Sequence, residues 1–171
     1  KIFMPGLRLA FTVLPDQLLS EMLAAKHATD ISSAGLTQRA FDFYLREGLW
    51  EKHIKEMRSL FKNRYSVIQE SVELYLPEEV REVYKPEGGL YFWLRLPEEY
   101  SSEKLYETAL DRGVAFLPGS LFLPGREDTS GFRLSFAAVN QNKIRFGIEK
   151  LSSIIKEMVR NESSPGYTPL V

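Results

Sequence analysis

The sequence predicts a mixed α/β protein whose main part is a small α+β domain, with an antiparallel-rich sheet covered by helices on one face. Two observations predict this fold class. Apolar residues recur at helical spacing from about residue 49 to residue 76, and after Val80 the pattern reads strand, strand, helix, strand, strand, helix. The chain has 171 residues, of which 44% are hydrophobic, so it is long enough for one packed core.

Charge and composition exclude several classes of function. The 22 Lys and Arg residues against 23 Asp and Glu residues give a formal net charge of -1, whereas a domain that binds a phosphate backbone usually carries a basic excess. The sequence has no cysteine, and its two histidines, His27 and His53, do not make a convincing metal centre, so we predict no metal site. No apolar run approaches the roughly 20 residues that span a bilayer. We therefore expect a cytoplasmic protein that has no membrane partner.

The first third of the chain is predicted to contain one strand and two helices. Residues 7–14 form a short, apolar segment that is bounded by Pro15, a pattern typical of a buried strand. Asp16 opens a helix that fades near residue 30, and a second helix over residues 35–46 ends at Gly48.

The periodic segment that follows is the longest in the sequence. Apolar side chains from Ile54 to Tyr75 recur at three- and four-residue steps until Pro77 ends the helix. A helix of roughly 25 residues is about 40 Å long, which is more than most globular helices reach. We expect it to connect two subdomains.

The second half is predicted to form the sheet and its covering helices. Strands are expected over residues 80–85, 90–96, 114–117 and 132–137, bounded by Gly and Pro turns. Ser101 and Asn140 are suited to cap two helices, of which the first ends near residue 112 and the second carries a clear apolar stripe. Phe92 and Trp93, in the strongest strand, are predicted to be core residues.

Three cations stand out, since common catalytic motifs are absent. The sequence has no glycine-rich nucleotide loop, no G-x-S-x-G and no H-E-x-x-H. Arg8 and Arg133 each lie inside an apolar strand segment, where a guanidinium must bind an anion or reach solvent, and Lys1 precedes a Pro-Gly turn. The residues alone leave two alternatives open for the arginines: an ion pair with a structural carboxylate, or a bound anionic ligand.

Four segments in the same order resemble those of a known family. Residues 1–11, Lys-Ile-Phe-Met-Pro-Gly-Leu-Arg-Leu-Ala-Phe, resemble the segment that carries the cofactor-binding lysine in fold-type-I pyridoxal-phosphate aminotransferases of class I/II. Residues 86–97, 113–122 and 132–137 and a closing amphipathic helix follow in the family's order. The resemblance covers the chain to about residue 160.

The resemblance implies a role for each of the three cations. Lys1 would be the catalytic residue: it would bind the aldehyde of the cofactor, pyridoxal 5'-phosphate, covalently and then move the substrate proton. Arg8 would bind the cofactor phosphate, so the cofactor-binding residues would be Lys1 and Arg8. Arg133 would bind the substrate, an amino acid or 2-oxo acid, because a planar guanidinium matches the α-carboxylate bidentately.

The same resemblance implies a domain organisation. Residues 1–47 would be a remnant of the family's large cofactor-binding domain, residues 48–162 its C-terminal small domain with the long connecting helix, and residues 163–171 a tail. The chain would then be a fragment of a longer protein, and that parent is expected to be a homodimer.

Two branches of the family compete, and a third interpretation lies outside it. The aminotransferase-like domain of a MocR-type transcriptional regulator of the GntR family is favoured, with DNA bound only by a winged-helix domain that precedes this chain. The alternatives are a free-standing aminotransferase of the aminoadipate/kynurenine type and an unrelated α+β binding module. The residues that resemble the MocR pattern are 38–48, His53, Met57, Arg58 and Arg64.

The chain alone is expected to hold no cofactor and to be inactive. In the family, the aspartate that pairs with the pyridine nitrogen, the aromatic residue that stacks on the ring and the backbone donors for the phosphate all precede the lysine that Lys1 resembles. Purified chain that is mixed with pyridoxal phosphate and desalted near neutral pH should therefore show no absorbance from bound cofactor. A stoichiometric cofactor band in its spectrum would contradict this prediction.

Overall fold

The structure is a computed structural model, and it describes residues 4–80, 87–125, 127 and 129–162. The chain divides into two compact units, Lys1–Ser59 and Leu60–Val171, and the division falls inside its longest helix. Short 3-10 turns lie at Pro5–Leu7, Glu78–Val80 and Gly119–Phe122. The helices and strands in chain order are α1 (Asp16–Thr29), α2 (Gly35–Arg46), α3 (Leu49–Tyr75), β1 (Tyr91–Arg95), α4 (Ser102–Asp111), β2 (Leu117–Pro118), β3 (Gly131–Ser135) and α5 (Gln141–Glu162).

The first unit contains α1, α2 and the first part of α3. All three helices were expected from the apolar spacing, and their prediction is confirmed. Gly48 follows α2 with a φ of 67°, a left-handed conformation that glycine adopts without strain. No residue of α1 or α2 is buried, and Leu18 and Leu23 keep about half of their surface exposed. The described helices of this unit therefore enclose no core of their own.

The strand predicted over residues 7–14 is wrong. Leu7 ends a 3-10 turn, and Arg8 has a φ of 51°, which takes the chain out of the extended conformation. None of these residues pairs with a strand in the part of the chain that the structure describes, and Phe11 is 90% exposed. A short apolar run becomes a strand only where a neighbouring strand can take its hydrogen bonds.

The second unit is built around a sheet of three described strands in the order β1-β3-β2, with every pair antiparallel. β3 is the central strand, and its Arg133 lies opposite Trp93 of β1 and Leu117 of β2. This register decides which side chains share each face of the sheet.

Two of the four predicted strands are confirmed, the third differs in its bounds, and the fourth falls almost entirely outside the described residues. β1 lies within the predicted segment 90–96, and β3 begins one residue before the predicted segment 132–137 and overlaps it as far as Ser135, whereas the segment 114–117 contributes only the start of β2. The remaining predicted strand, 80–85, lies outside the described residues except for Val80, which ends a 3-10 turn.

The core of the second unit lies on one face of the sheet. Because side chains alternate along a strand, Phe92 of β1 and Leu134 of β3 point to this face from opposite positions, and both are buried. Helix α3 packs on the same face through Tyr65, whose ring centroid lies 5.3 Å from that of Phe92. The predicted cover of helices on one face is thus confirmed. Other buried residues of this core come from α3, α4 and α5, among them Val67, Ile68, Val72, Leu105, Ala109, Ile148, Leu151 and Ile155.

The opposite face of the sheet is open, and it carries Trp93. Phe92 is fully buried, as predicted for a core residue, but Trp93 is only half-buried and lies outside the core. The prediction was wrong for Trp93 because adjacent residues of a strand point to opposite faces of the sheet.

Side chains of α5 hold the end of α3. Ser152 donates its hydroxyl to the carbonyl oxygen of Tyr75, the last residue of α3, and Lys156 Nζ donates to the same oxygen at 3.1 Å. The final carbonyls of a helix have no N–H partner within the helix, so donors from elsewhere must satisfy them. Here both donors come from α5, which follows the three described strands in the chain.

The two helices that follow the strands begin at the predicted caps. Ser101 Oγ accepts a hydrogen bond from the backbone N–H of Lys104 at 3.1 Å, at the start of α4. Asn140 Oδ1 accepts one from the backbone N–H of Lys143 at 2.9 Å, at the start of α5. Each cap satisfies a donor that the first turn of a helix leaves unpaired.

Within the described part of the chain, no helix combines the length and the apolar character that a membrane crossing needs. The same residues contain no group of three or more His, Cys, Asp or Glu side chains that could hold a metal ion.

An ion pair on the surface links the end of α4 to α5. Arg112 donates from Nη2 to Oε2 of Glu157 at 2.6 Å. The hydrogen bond from Arg112 lowers the pKa of the Glu157 carboxyl, and the same bond raises the pKa of Arg112. Both side chains are about two-fifths exposed, so solvent screens the pair.

Replacing Glu157 by glutamine should lower the melting temperature slightly at pH 7. A carboxyl whose pKa is lowered by folding adds stability above its unfolded pKa, and this stability is lost as the pH falls below about 4.3. The melting temperatures of wild type and Glu157→Gln should therefore differ at pH 7 and converge as the pH falls through the lowered pKa of Glu157. Glu149→Gln is the control on the same helix, because no described cation pairs with Glu149. A difference in melting temperature between wild type and Glu157→Gln that persists at low pH would contradict an electrostatic origin of the stabilisation.

Candidate functional site

The candidate site lies on the open face of the sheet, around Arg133. This residue is in the middle of β3, half-buried, with Trp93 and Leu117 beside it on the neighbouring strands. Its guanidinium carbon lies over two aromatic rings, 4.0 Å from the ring centroid of Tyr91 and 4.6 Å from that of Phe122. Both distances are within the range of a cation–π interaction.

No carboxylate among the described residues forms an ion pair with Arg133. The guanidinium also makes no hydrogen bond to another described group, so its N–H donors are available. The sequence left open whether this arginine pairs with a structural carboxylate or binds an anionic ligand. Among the residues that the structure describes, the first alternative finds no carboxylate partner, and the guanidinium contacts two aromatic rings instead.

A short turn places Phe122 beside the arginine. After β2 the chain makes a 3-10 turn that ends at Phe122, and the buried Ser120 in this turn donates its hydroxyl to the carboxylate of Glu103 in α4. A Cβ atom on Gly119 would come within 2.6 Å of the carbonyl oxygen of Gly131. Only glycine at position 119 therefore lets the turn pack this closely on β3.

Trp93, which lies on β1, contacts the same phenylalanine ring. The ring centroids of Trp93 and Phe122 lie 5.5 Å apart at an interplanar angle of 75°, an edge-to-face contact. The indole lies against Gly131, where an added Cβ would come within 2.8 Å of Trp93 Cζ2. Glycine at position 131 thus leaves the space that Trp93 needs to reach Phe122.

The surface around Arg133 is apolar and open to solvent. Tyr91 and Phe122 are 40% and 44% exposed, although both contact the guanidinium. Leu117, Leu121 and Leu123 add further exposed apolar side chains from β2 and the turn after it. A small anion can therefore reach the guanidinium from this face.

The other two predicted site residues lie in the first unit. Arg8 is exposed and forms no ion pair or hydrogen bond with a described residue. Its left-handed backbone costs a non-glycine residue about 1–2 kcal/mol. Lys1 lies outside the described residues.

The sequence model of one protein family matches most of the chain. It is the model of aminotransferase class I and II, and the match covers residues 2–151. The chain belongs to this family. Arg8 and Arg133 fall inside the matched range, and Lys1 directly precedes it.

Members of the family that are similar to this chain are of two kinds. Aromatic-amino-acid aminotransferase 1 of Thermococcus litoralis is 31% identical over 160 residues, which are 94% of this chain and 38% of that protein. The uncharacterized HTH-type transcriptional regulator YdfD of Bacillus subtilis is 29% identical over 158 residues, which are 92% of this chain and 32% of that protein. The chain thus spans 38% of the length of the first relative and 32% of the length of the second.

A solved structure of the family has the same fold. The crystal structure of Pyrococcus horikoshii kynurenine aminotransferase in complex with PMP matches with a TM-score of 0.83 and 36% sequence identity. The match covers 91% of this chain and 38% of that chain. The family resemblance and the fold class predicted from the sequence are both confirmed.

The sequence motifs point to Arg133 but not to the residues around it. Tyr91 and Trp93 are two residues apart in β1, so strand alternation and the pairing with β3 could have placed both on the face of Arg133. Phe122 could not be found in this way, because it comes from a turn whose packing depends on Gly119.

Replacing Gly131 by alanine should displace Trp93 and destabilise the second unit. An added methyl group in a packed position typically costs about 1–3 kcal/mol, and the indole must move to accept it. Urea unfolding gives the free energy, and tryptophan fluorescence reports the displacement. In contrast, Gly147→Ala in α5 meets no atom within 4 Å and should stabilise the helix by about 0.5–1 kcal/mol. Equal stability of the two variants would contradict the close approach of Trp93.

Proposed function

We propose that this chain supplies the carboxylate-binding part of a site for an amino acid or 2-oxo acid, in a pyridoxal-phosphate-dependent protein of the aminotransferase fold. The observation that carries the proposal is the Arg133 guanidinium, which lies on the open face of the sheet without a described carboxylate partner. A guanidinium can bind a carboxylate through two parallel N–H···O bonds, and it remains charged at every physiological pH. The family match supports the class of ligand.

The chemistry of Arg8 fits the phosphate group of the cofactor. Its exposed guanidinium has no described anionic partner, and backbone strain of the kind at Arg8 is retained mainly at functional sites. In our proposal Arg8 binds the phosphate, and Lys1 binds the cofactor aldehyde covalently. When bound, pyridoxal phosphate supplies a conjugated ring that withdraws electrons from the carbon next to the substrate amine.

The residues of the chain then have separate tasks. Arg133 binds the carboxylate and thereby fixes the orientation of the neighbouring C–H bond, and such orientation lowers the barrier of the step that follows. The amine of Lys1, when it is free, takes the proton from the α-carbon and returns it at another position. Arg8 neutralises the phosphate and anchors the cofactor against movement.

For the longer protein we propose a MocR-type regulator, whose aminotransferase-like domain binds cofactor and an amino-acid effector. The support is the sequence pattern of residues 38–48, His53 and Arg64, together with the HTH-type regulators among the relatives. The protein would be a homodimer and would bind DNA through a separate N-terminal domain. Part of the pattern also serves packing, because Arg64 donates to the carbonyl of Ala137 and lies over the ring of Phe61.

The second candidate is a free-standing aminotransferase that transfers an amino group between an amino acid and a 2-oxo acid. Its support is the 31% identity to an aromatic-amino-acid aminotransferase and the 36% identity to a solved kynurenine aminotransferase. Two assays on the intact protein separate the candidates. Turnover of amino acid and 2-oxo acid would favour the enzyme, and amino-acid-dependent binding to promoter DNA would favour the regulator.

In the intact protein, Arg133→Lys should weaken the binding of an amino acid by about 10- to 100-fold, because a lysine cannot form the bidentate contact. The measurement is a titration of the amino-acid-dependent change in the absorbance of bound cofactor. Arg145→Lys is the control: Arg145 pairs with Glu70 at 3.7 Å on the surface of α5 and α3, so its replacement should leave the affinity unchanged. Equal affinities of wild type and Arg133→Lys would reject the proposed role of Arg133.

A further inference from the structure

We propose that Tyr91 and Phe122 are positioning residues that hold the Arg133 guanidinium in place before the substrate carboxylate arrives. The inference rests on the proposed function of Arg133 and names two residues that act through it. Neither residue was singled out by the sequence motifs, and both are identified by their distances to one guanidinium.

The two rings come from different parts of the second unit. Tyr91 begins β1, and its ring centroid lies 4.0 Å from the guanidinium carbon of Arg133. Phe122 ends the turn after β2, on the other side of the central strand, and its centroid lies 4.6 Å away. The guanidinium is therefore contacted by one ring from β1 and by one ring from the turn that follows β2.

Aromatic rings suit this task better than a carboxylate would. A structural carboxylate would occupy the N–H donors of the guanidinium and would compete with the carboxylate of the ligand. A ring attracts the cation through its π electrons and leaves the N–H donors free for an incoming anion. The contacts hold Arg133 without neutralising it.

The contacts also reduce what ligand binding must overcome. A free arginine side chain has many rotamers, and fixing them at the moment of binding weakens the affinity. A guanidinium that is already held in the folded chain has lost this freedom beforehand. Removing one ring should therefore weaken carboxylate binding by about two- to five-fold, which corresponds to one exposed cation–π contact.

The surroundings keep Phe122 in place. Trp93 meets its ring edge-to-face, and the turn that carries it is fixed by the hydrogen bond from Ser120 to Glu103. Tyr91 needs no such support, because it lies on a strand paired with β3. Both rings are thus presented by elements whose backbone is fixed in the folded unit.

The test is nuclear magnetic resonance of the arginine Nε–Hε groups in the full chain. A guanidinium that lies over aromatic rings has an Hε signal displaced by their ring currents, and Arg133→Lys assigns that signal by removing it. We expect the displacement to be reduced in Tyr91→Leu and in Phe122→Leu, and to be retained in Tyr91→Phe, which keeps the ring. Phe146→Leu, on the exposed surface of α5 where Phe146 contacts Lys150, is the matched control and should leave the Arg133 signal unchanged.

Sodium pyruvate, a 2-oxo acid, is the carboxylate probe, with sodium chloride at equal ionic strength as its control. We expect pyruvate to shift the Arg133 signal of wild type and of Tyr91→Phe with equal midpoints. The midpoint should rise by about two- to five-fold in each leucine variant. Circular dichroism shows whether each variant is folded, and a leucine variant that fails to fold is replaced by the methionine variant at the same position, which also removes the ring and should give the same rise in midpoint.

The possible failures are distinguishable. Leucine variants that are folded and leave the Arg133 signal at its wild-type position would overturn the positioning role, whatever pyruvate does. A wild-type Arg133 signal that pyruvate shifts no more than chloride would instead overturn the carboxylate-binding function. A reduced displacement together with an unchanged pyruvate midpoint would show that the rings contact Arg133 without preparing it, and would also overturn the proposal.

Discussion

The register between β1 and β3 is the constraint on which the second unit depends, because it decides at once which residues form the core and which surround the site. With Trp93 opposite Arg133, the residues that flank each of them on its own strand fall on the face that α3, α4 and α5 cover. These residues are Phe92, Leu94, Phe132 and Leu134. A slip of one residue would exchange the faces, placing the Arg133 charge in the core and the buried Phe132 in solvent. Burying an unpaired guanidinium is strongly unfavourable, so core and site select the same register.

Much of the fold could be predicted because its signals are local. Helices α3 and α5 carry long apolar stripes, and the caps at Ser101 and Asn140 are each read within a few residues of the helix they start. The strand expected over residues 7–14 failed because a strand is defined by a partner, and an apolar run does not reveal whether one exists. The prediction that Trp93 is buried was wrong for a related reason. Both faces of β1 are rich in large side chains, and only the covering helices show which face is the core.

The candidate site, like the fold, has one part that local sequence signals predict and another that they do not. Arg133 could be found from the sequence, since a guanidinium within an apolar strand is unusual and the surrounding motif resembles that of a family. Its environment could not, because Gly119 and Gly131 look like ordinary turn or strand-end glycines until their distances to other atoms are known. The turn they permit brings Phe122 to an arginine 11 positions further along the chain. Such proximity depends on packing between elements, which no local pattern encodes.

The carbonyl of Tyr75 has a bearing on how the second unit moves. Helix ends normally fray, because their last carbonyls lack partners and their last turns open with little loss of contact. The hydroxyl of Ser152 and the ammonium of Lys156 both bind this carbonyl, although Ser152 follows it by 77 residues in the chain. Opening the last turn of α3 therefore breaks two hydrogen bonds from α5 in addition to those within α3. The end of the long helix is thereby anchored to the last helix of the unit, so that fraying there is opposed by residues far along the chain.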